Sequence, residues 1–166
     1  VASFVKIPLA NTTSFAVYEL SSYLGGYLIQ GGLITLQNRY NTFLLRIDFE
    51  GNVIWEKRYS PPGMDEASVC MTVLENNTIL IGSTVGNFLS SPYINSRIYA
   101  VDSLGEIKWE WQSPANNEGL VSDIHKLPNG DWLYVNKKLQ ILSQSSWLGR
   151  NQLVRRDSNW NLLWAV

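Results

Sequence analysis

The sequence has one cysteine, Cys70, and one histidine, His125, among 166 residues. A lone cysteine forms no internal disulfide and builds no cysteine-based metal site, so the chain fits a reducing cytosol or a bacterial exported protein that avoids cysteine. Long apolar runs are missing too, and none approaches the ~18–20 residues that cross a bilayer as a helix. Basic runs stop at the doublets Lys57-Arg58, Lys137-Lys138 and Arg155-Arg156, and the net charge is −1, which removes the electrostatic footprint of a nucleic-acid binder. Neither GxSxG nor HExxH occurs, so no nucleophile or zinc site comes with a motif. The chain starts at Val1-Ala2-Ser3-Phe4 with neither Met nor a signal peptide, and removal of a preceding segment is the expectation.

Apolar and aromatic residues are plentiful. Hydrophobic residues make up 45% and aromatics 12%, enough apolar surface to offset the entropy of ordering a domain of this length. Their arrangement is repetitive. Asp48-Phe49-Glu50-Gly51-Asn52-Val53-Ile54-Trp55 recurs as Asp102-Ser103-Leu104-Gly105-Glu106-Ile107-Lys108-Trp109 and again as Asp157-Ser158-Asn159-Trp160-Asn161-Leu162-Leu163-Trp164. The Asp-to-Trp distance is seven residues each time, and the copies lie 54 and 55 residues apart. Apolar runs flank the polar turn, as in Phe43 to Ile47 and Arg97 to Val101, which predicts a β-hairpin in each copy.

A second hairpin precedes each of these. Its strands run from Ala67 to Leu74 and Thr78 to Gly82, from Leu120 to Leu127 and Asp131 to Val135, and from Phe15 to Ser21 and Tyr27 to Ile29. Asn and Gly in the turns supply the positive φ that tight hairpins require. Four short strands per ~50 residues, with no helical period, is the pattern of β-propeller blades. The expected fold is all-β: three four-stranded blades at 14–59, 67–112 and 119–166, preceded by a lead or outer strand at 1–13. Propellers close with about four to eight blades. Three therefore predict part of a larger ring of six to eight blades, completed by further blades or by a partner chain. Phe4 to Pro8 is expected as an outer strand.

The units resemble a propeller family common in exported proteins of Bacteroidetes-like bacteria, grouped with quinoprotein-like propellers. Asn41 to Asp48, Gly51, Trp55, Asp65-Glu66-Ala67 and Asn76 to Gly82 follow that family's order. The third copy departs from it at Asn159-Trp160, where Gly is usual, and a weakened turn is expected there. The resemblance implies an extracellular or cell-surface module that binds a protein or glycan without catalysis, as a scaffold in a larger assembly. The alternative is a piece of a propeller enzyme, a glycan-active hydrolase or lyase with its catalytic residues in other blades. Sialidase-type Asp boxes place Gly two residues after Asp, whereas Gly51 stands three after Asp48.

Binding residues are expected in the longer connections, Leu36 to Asn41, Gly86 to Ser96 and Lys138 to Arg150. These carry Arg39, Tyr40, Asn87, Phe88, Tyr93, Trp147 and Arg150, aromatics beside Asn and Arg that suit peptide or sugar. Structural roles are expected for the repeated residues. Trp55, Trp109 and Trp164 would pack between blades, while Asp48, Asp102 and Asp157 would cap turn N–H groups. Asp65-Glu66 and Asn117-Glu118 recur at blade-to-blade loops, where carboxylates around a channel could hold Ca2+ or satisfy backbone donors. His125 and Asp123 sit at alternate positions that could share one strand face. No catalytic residue, other cofactor or metal site is expected.

Overall fold

The computed structural model describes residues 9–88, 94–114, 119–143 and 146–166, the side chains of 138–148 excepted. The described residues fold into twelve strands in three four-stranded antiparallel sheets, with no helix among them. Sheet 1 holds β1 (Thr12–Ser22), β2 (Gly26–Thr35), β3 (Tyr40–Asp48) and β4 (Val53–Tyr59) in sequence order. Sheet 2 holds β5 (Asp65–Val73), β6 (Ile79–Gly86), β7 (Ile94–Val101) and β8 (Ile107–Gln112). Sheet 3 holds β9 (Leu120–Lys126), β10 (Trp132–Ser143), β11 (Ser146–Arg156) and β12 (Leu162–Ala165). The expected outer strand at Phe4 to Pro8 lies outside the described residues.

β6 and β7 are buried along nearly their whole length because sheets 1 and 3 cover the two faces of sheet 2. In sheet 1, Leu28 and Leu44 face sheet 2 and join Tyr23, Tyr59, Met71, Ile79, Ile81, Tyr99 and Val101 in one buried cluster. Leu33, Phe43 and Leu45 form a separate cluster with Leu9 packed on it. A third cluster joins sheets 2 and 3 through Cys70, Leu80, Ile98, Val121, Ile124, Trp132, Tyr134 and Val154. Burial pushes the Cys70 thiol up to about 12, so it behaves as a small core hydrophobe rather than a nucleophile.

The first strands of the three sheets adjoin. Met71 N donates to Glu19 Oε2 at 2.7 Å, and Thr72 Oγ1 donates to the Ile124 carbonyl at 2.7 Å. Each first strand also carries a one-residue bulge at the same point of the repeat, at Tyr18, Val69 and Ser122. A bulge bends its strand and increases local twist.

The turn expected to be weak is intact. Gly51 N, Gly105 N and Trp160 N donate to the carbonyls of Asp48, Asp102 and Asp157 at 3.1, 2.9 and 3.0 Å. Trp160 adopts φ +66°, beside +88° at Gly51 and +78° at Gly105. A side chain in that region carries strain of order 1 kcal/mol. Packing holds it there: the Trp160 ring stacks on Trp109 at 4.7 Å, Trp132 at 5.5 Å and Trp111 at 5.6 Å.

The repeated aspartates cap these turns. Asp48, Asp102 and Asp157 each accept from the backbone N–H four residues on, at 2.7, 3.0 and 2.9 Å. Asp102 also pairs with Lys108 Nζ at 2.9 Å. The hydrogen bond from Lys108, followed by that from Glu106 N, holds its carboxyl down at about 2. A depressed folded-state value contributes stability that is full above the ordinary 3.8 and is lost as pH falls through about 2. Carboxylate NMR titration is expected to find Asp102 well below 3.8, and Asp102→Asn is expected to flatten the acid limb of the stability curve. An Asp102 that titrates at its ordinary value would contradict this capping role.

Candidate functional site

Antiparallel order puts the β1–β2, β3–β4, β5–β6, β7–β8, β9–β10 and β11–β12 turns at one end of the sheets. The β2–β3, β4–β5, β6–β7, β8–β9 and β10–β11 connections lie at the other. At this second end, three of the expected binding residues come together. Asn38 takes φ +59° to close a tight turn in which Thr35 N donates to the Arg39 carbonyl at 2.9 Å. This turn directs Arg39 and Tyr40 toward sheet 2.

Asp65 anchors the group. It is 1% exposed, and its Oδ1 accepts from Tyr40 N at 3.1 Å while Oδ2 accepts from Phe88 N at 3.0 Å. Arg39 Nε stands 2.9 Å from Oδ1 as an ion contact, with the Arg39 side chain 35% exposed. The carboxylate thereby ties the β2–β3 connection of sheet 1 to the β6–β7 connection of sheet 2. Above it the Tyr40 and Phe88 rings meet at 5.6 Å and 54°, both half-buried. Asn87 is exposed beside them, as are Leu36 and Met64 in the neighbouring connections. Satisfied backbone donors and a fixed aromatic pair make a rigid, partly apolar platform with one cation at its rim.

Other expected residues fall elsewhere. Residues 138–150 are not a loop: β10 and β11 extend as one long hairpin in which Lys138 pairs with Arg150 and Ile141 with Trp147. The apolar and polar residues from Val135 to Ser143 and from Ser146 to Leu153 continue the ladder. Arg150 is exposed on β11, and the Trp147 side chain lies outside the described residues, as do Tyr93, Asn117 and Glu118. Asp65 and Glu66 open β5 rather than standing in a loop.

Glu66 belongs to a buried ion cluster that the sequence reading missed. It is 0% exposed, and Arg97 Nη1 donates to it at 2.5 Å and Tyr99 OH at 2.8 Å. Arg97 Nη2 continues to Glu110 at 2.6 Å, and its guanidinium lies over the Tyr99 ring at 4.5 Å. Burial raises the Glu66 carboxyl above its ordinary value, with Arg97 and Tyr99 opposing that rise. The enclosed carboxyl and its partners tie β5 to β7 and β8. The available signal was Arg97 itself, a charge at the head of the apolar run Ile98 to Val101.

At the turn end, an open groove of ≈ 810 Å3 lies between the β5–β6 and β9–β10 turns, with Thr72, Asn76, His125 and Lys126 among its walls. His125 Nε2 is 3.1 Å from Asp123 Oδ2, with both side chains more than half exposed. Among the described residues, no three metal-ligating side chains converge. No family model matches the chain, and comparison with curated proteins returns no match.

Proposed function

We propose that this chain is a portion of an exported β-propeller, a non-enzymatic scaffold or binding module whose connection-end face takes a protein partner. The single observation carrying the reading is the Asp65-anchored platform of Arg39, Tyr40 and Phe88. Aromatic residues and arginine are the side chains that most often dominate protein interfaces, particularly where their backbone is already ordered. Exposed Leu36 and Met64 nearby favour an apolar peptide segment over a sugar, which prefers a flat open ring bordered by polar groups. The blade reading rests on three sheets with the same strand order, the same bulge and the same capped turn.

Selection of the chain against a displayed random-peptide library tests the proposal, with a glycan array run in parallel. A selected peptide is expected to lose about tenfold or more in affinity against Tyr40→Ala or Phe88→Ala, the effect of truncating one interface anchor. Thermal melts of both variants separate that loss from unfolding. Peptides that bind both variants as well as the native chain would overturn the site. Binding confined to glycans would move the face to sugar recognition, and turnover of a polysaccharide would replace the module with an enzyme.

A further inference from the structure

The Arg39 guanidinium keeps hydrogen-bonding capacity that the fold does not use. Asp65 meets its charge but not its N–H groups. The two Asp65 oxygens take directed bonds from Tyr40 N and Phe88 N, while Arg39 Nε stands 2.9 Å from Oδ1 without donating to it. Nε and Nη2 are enclosed and donate no hydrogen bond among the described residues, although the side chain as a whole is 35% exposed. An enclosed N–H without an acceptor is costly, and more so on a charged group. An acceptor brought by a partner relieves that cost.

Charge points to the same class of partner. Segments 36–41, 60–64 and 86–96 contain a single Lys, Arg, Asp or Glu, which is Arg39. The carboxylate that faces it, Asp65, is 1% exposed. These segments therefore show solvent a cation and hide its counter-ion. A guanidinium is a planar fork of N–H groups that matches the two oxygens of a carboxylate. Beside it, the Tyr40 and Phe88 rings offer apolar surface with centres 5.6 Å apart. Arg39 and Tyr40 adjoin in the chain, so an acidic and an apolar side chain that are neighbours in a peptide reach both at once.

We infer that the platform takes an internal peptide segment in which an Asp or Glu stands next to an apolar residue. The carboxylate of that segment accepts from the Arg39 fork, and the apolar side chain lies on Tyr40 and Phe88. The inference rests on the peptide-binding reading above and narrows it. A peptide C-terminus fits less well. Terminal carboxylates are captured chiefly by clustered backbone N–H groups, and at this platform Tyr40 N and Phe88 N are already closed by Asp65.

The test uses the whole chain and peptides selected on it, resynthesised with amidated C-termini so that side chains carry their only carboxylates. An acidic residue beside an apolar one is expected among them. Changing that acid to its amide in the peptide is expected to lower affinity about tenfold on the native chain, and less than about twofold on Arg39→Gln, by calorimetry. Added salt is expected to weaken the acidic peptide and to leave its amide form nearly unchanged. If Arg39→Gln does not melt cooperatively, Arg39→Lys replaces it, keeping the charge without the fork, and the amide penalty is expected to shrink. Peptides that need Tyr40 and Phe88 yet bind equally well as acid and amide overturn this inference and leave the peptide-binding face standing. An amide penalty undiminished in the Arg39 variant overturns it too, because the carboxylate then meets another cation. Binding lost on amidation of the C-terminus alone overturns the internal segment. A library without binders, or binders indifferent to Tyr40→Ala and Phe88→Ala, would overturn both readings.

Discussion

Arg97→Ala is expected to destabilise the chain by about 3–5 kcal/mol, the range for removing one partner of a buried pair. The deletion leaves Glu66 fully buried with only the neutral hydroxyls of Tyr99 and Ser83 beside it. In a chain of this length, the loss corresponds to a fall in Tm of roughly 10 °C. Replacing both charges, as in Glu66→Leu with Arg97→Met, is expected to recover more than half of it, since the stranded carboxylate rather than the missing attraction is the main cost. The pH dependence gives a separate check. Burial already raises the Glu66 carboxyl, and loss of Arg97 raises it further. A raised folded-state value gives stability that is full below the ordinary 4.5 and is lost as pH rises. The Arg97→Ala deficit is therefore expected to be smaller at about pH 5 than at about pH 7. Thermal melts at both values check this, and a deficit under about 1 kcal/mol at neutral pH would show that the cluster carries little of the fold's stability.

Trp160 should give the second large effect, and its two smallest replacements should differ in a telling order. Trp160→Ala removes a ring that stacks on Trp109, Trp111 and Trp132. For a half-buried tryptophan, the loss is expected at about 2–4 kcal/mol. Trp160→Gly loses the same ring but relieves the left-handed backbone, so it should cost about 1 kcal/mol less than alanine. Urea unfolding of the pair decides this. If glycine is no better than alanine, the turn is not strained and the stacking needs another account.

The hairpins were legible because β-turn chemistry is local. Asp at the head of a turn and the αL residue three positions after it are written into consecutive residues, and the three-copy repeat supports them by spacing. The β10–β11 hairpin was misread because Lys137 to Arg150 mixes Lys, Gln, Ser and Asn with apolar residues. Polarity there suggested a loop, while a long hairpin with exposed sides satisfies its backbone along the ladder whatever its side chains are. Trp160 also misled: a glycine position occupied by tryptophan reads as a broken turn until its stacking partners, up to 51 residues away in the sequence, are in place.

The candidate site was legible only in part. Arg39, Tyr40, Asn87 and Phe88 stood out as exposed-loop residue types, yet nothing local in the sequence says that Asp65 collects the first two with Phe88. That gathering depends on sheet 1 packing against sheet 2. The ion pair of Glu66 with Arg97 is equally non-local, since its partners lie 31 residues apart on β5 and β7, the two strands that flank β6.

Backbone 15N shift mapping during titration with a library-selected peptide tests the binding role most directly. The largest shifts are predicted at Tyr40, Asn87 and Phe88, with the turns at Asp48, Asp102 and Asp157 unmoved. Shifts concentrated at those turns, or in the groove by His125, with Tyr40 and Phe88 silent, would contradict it.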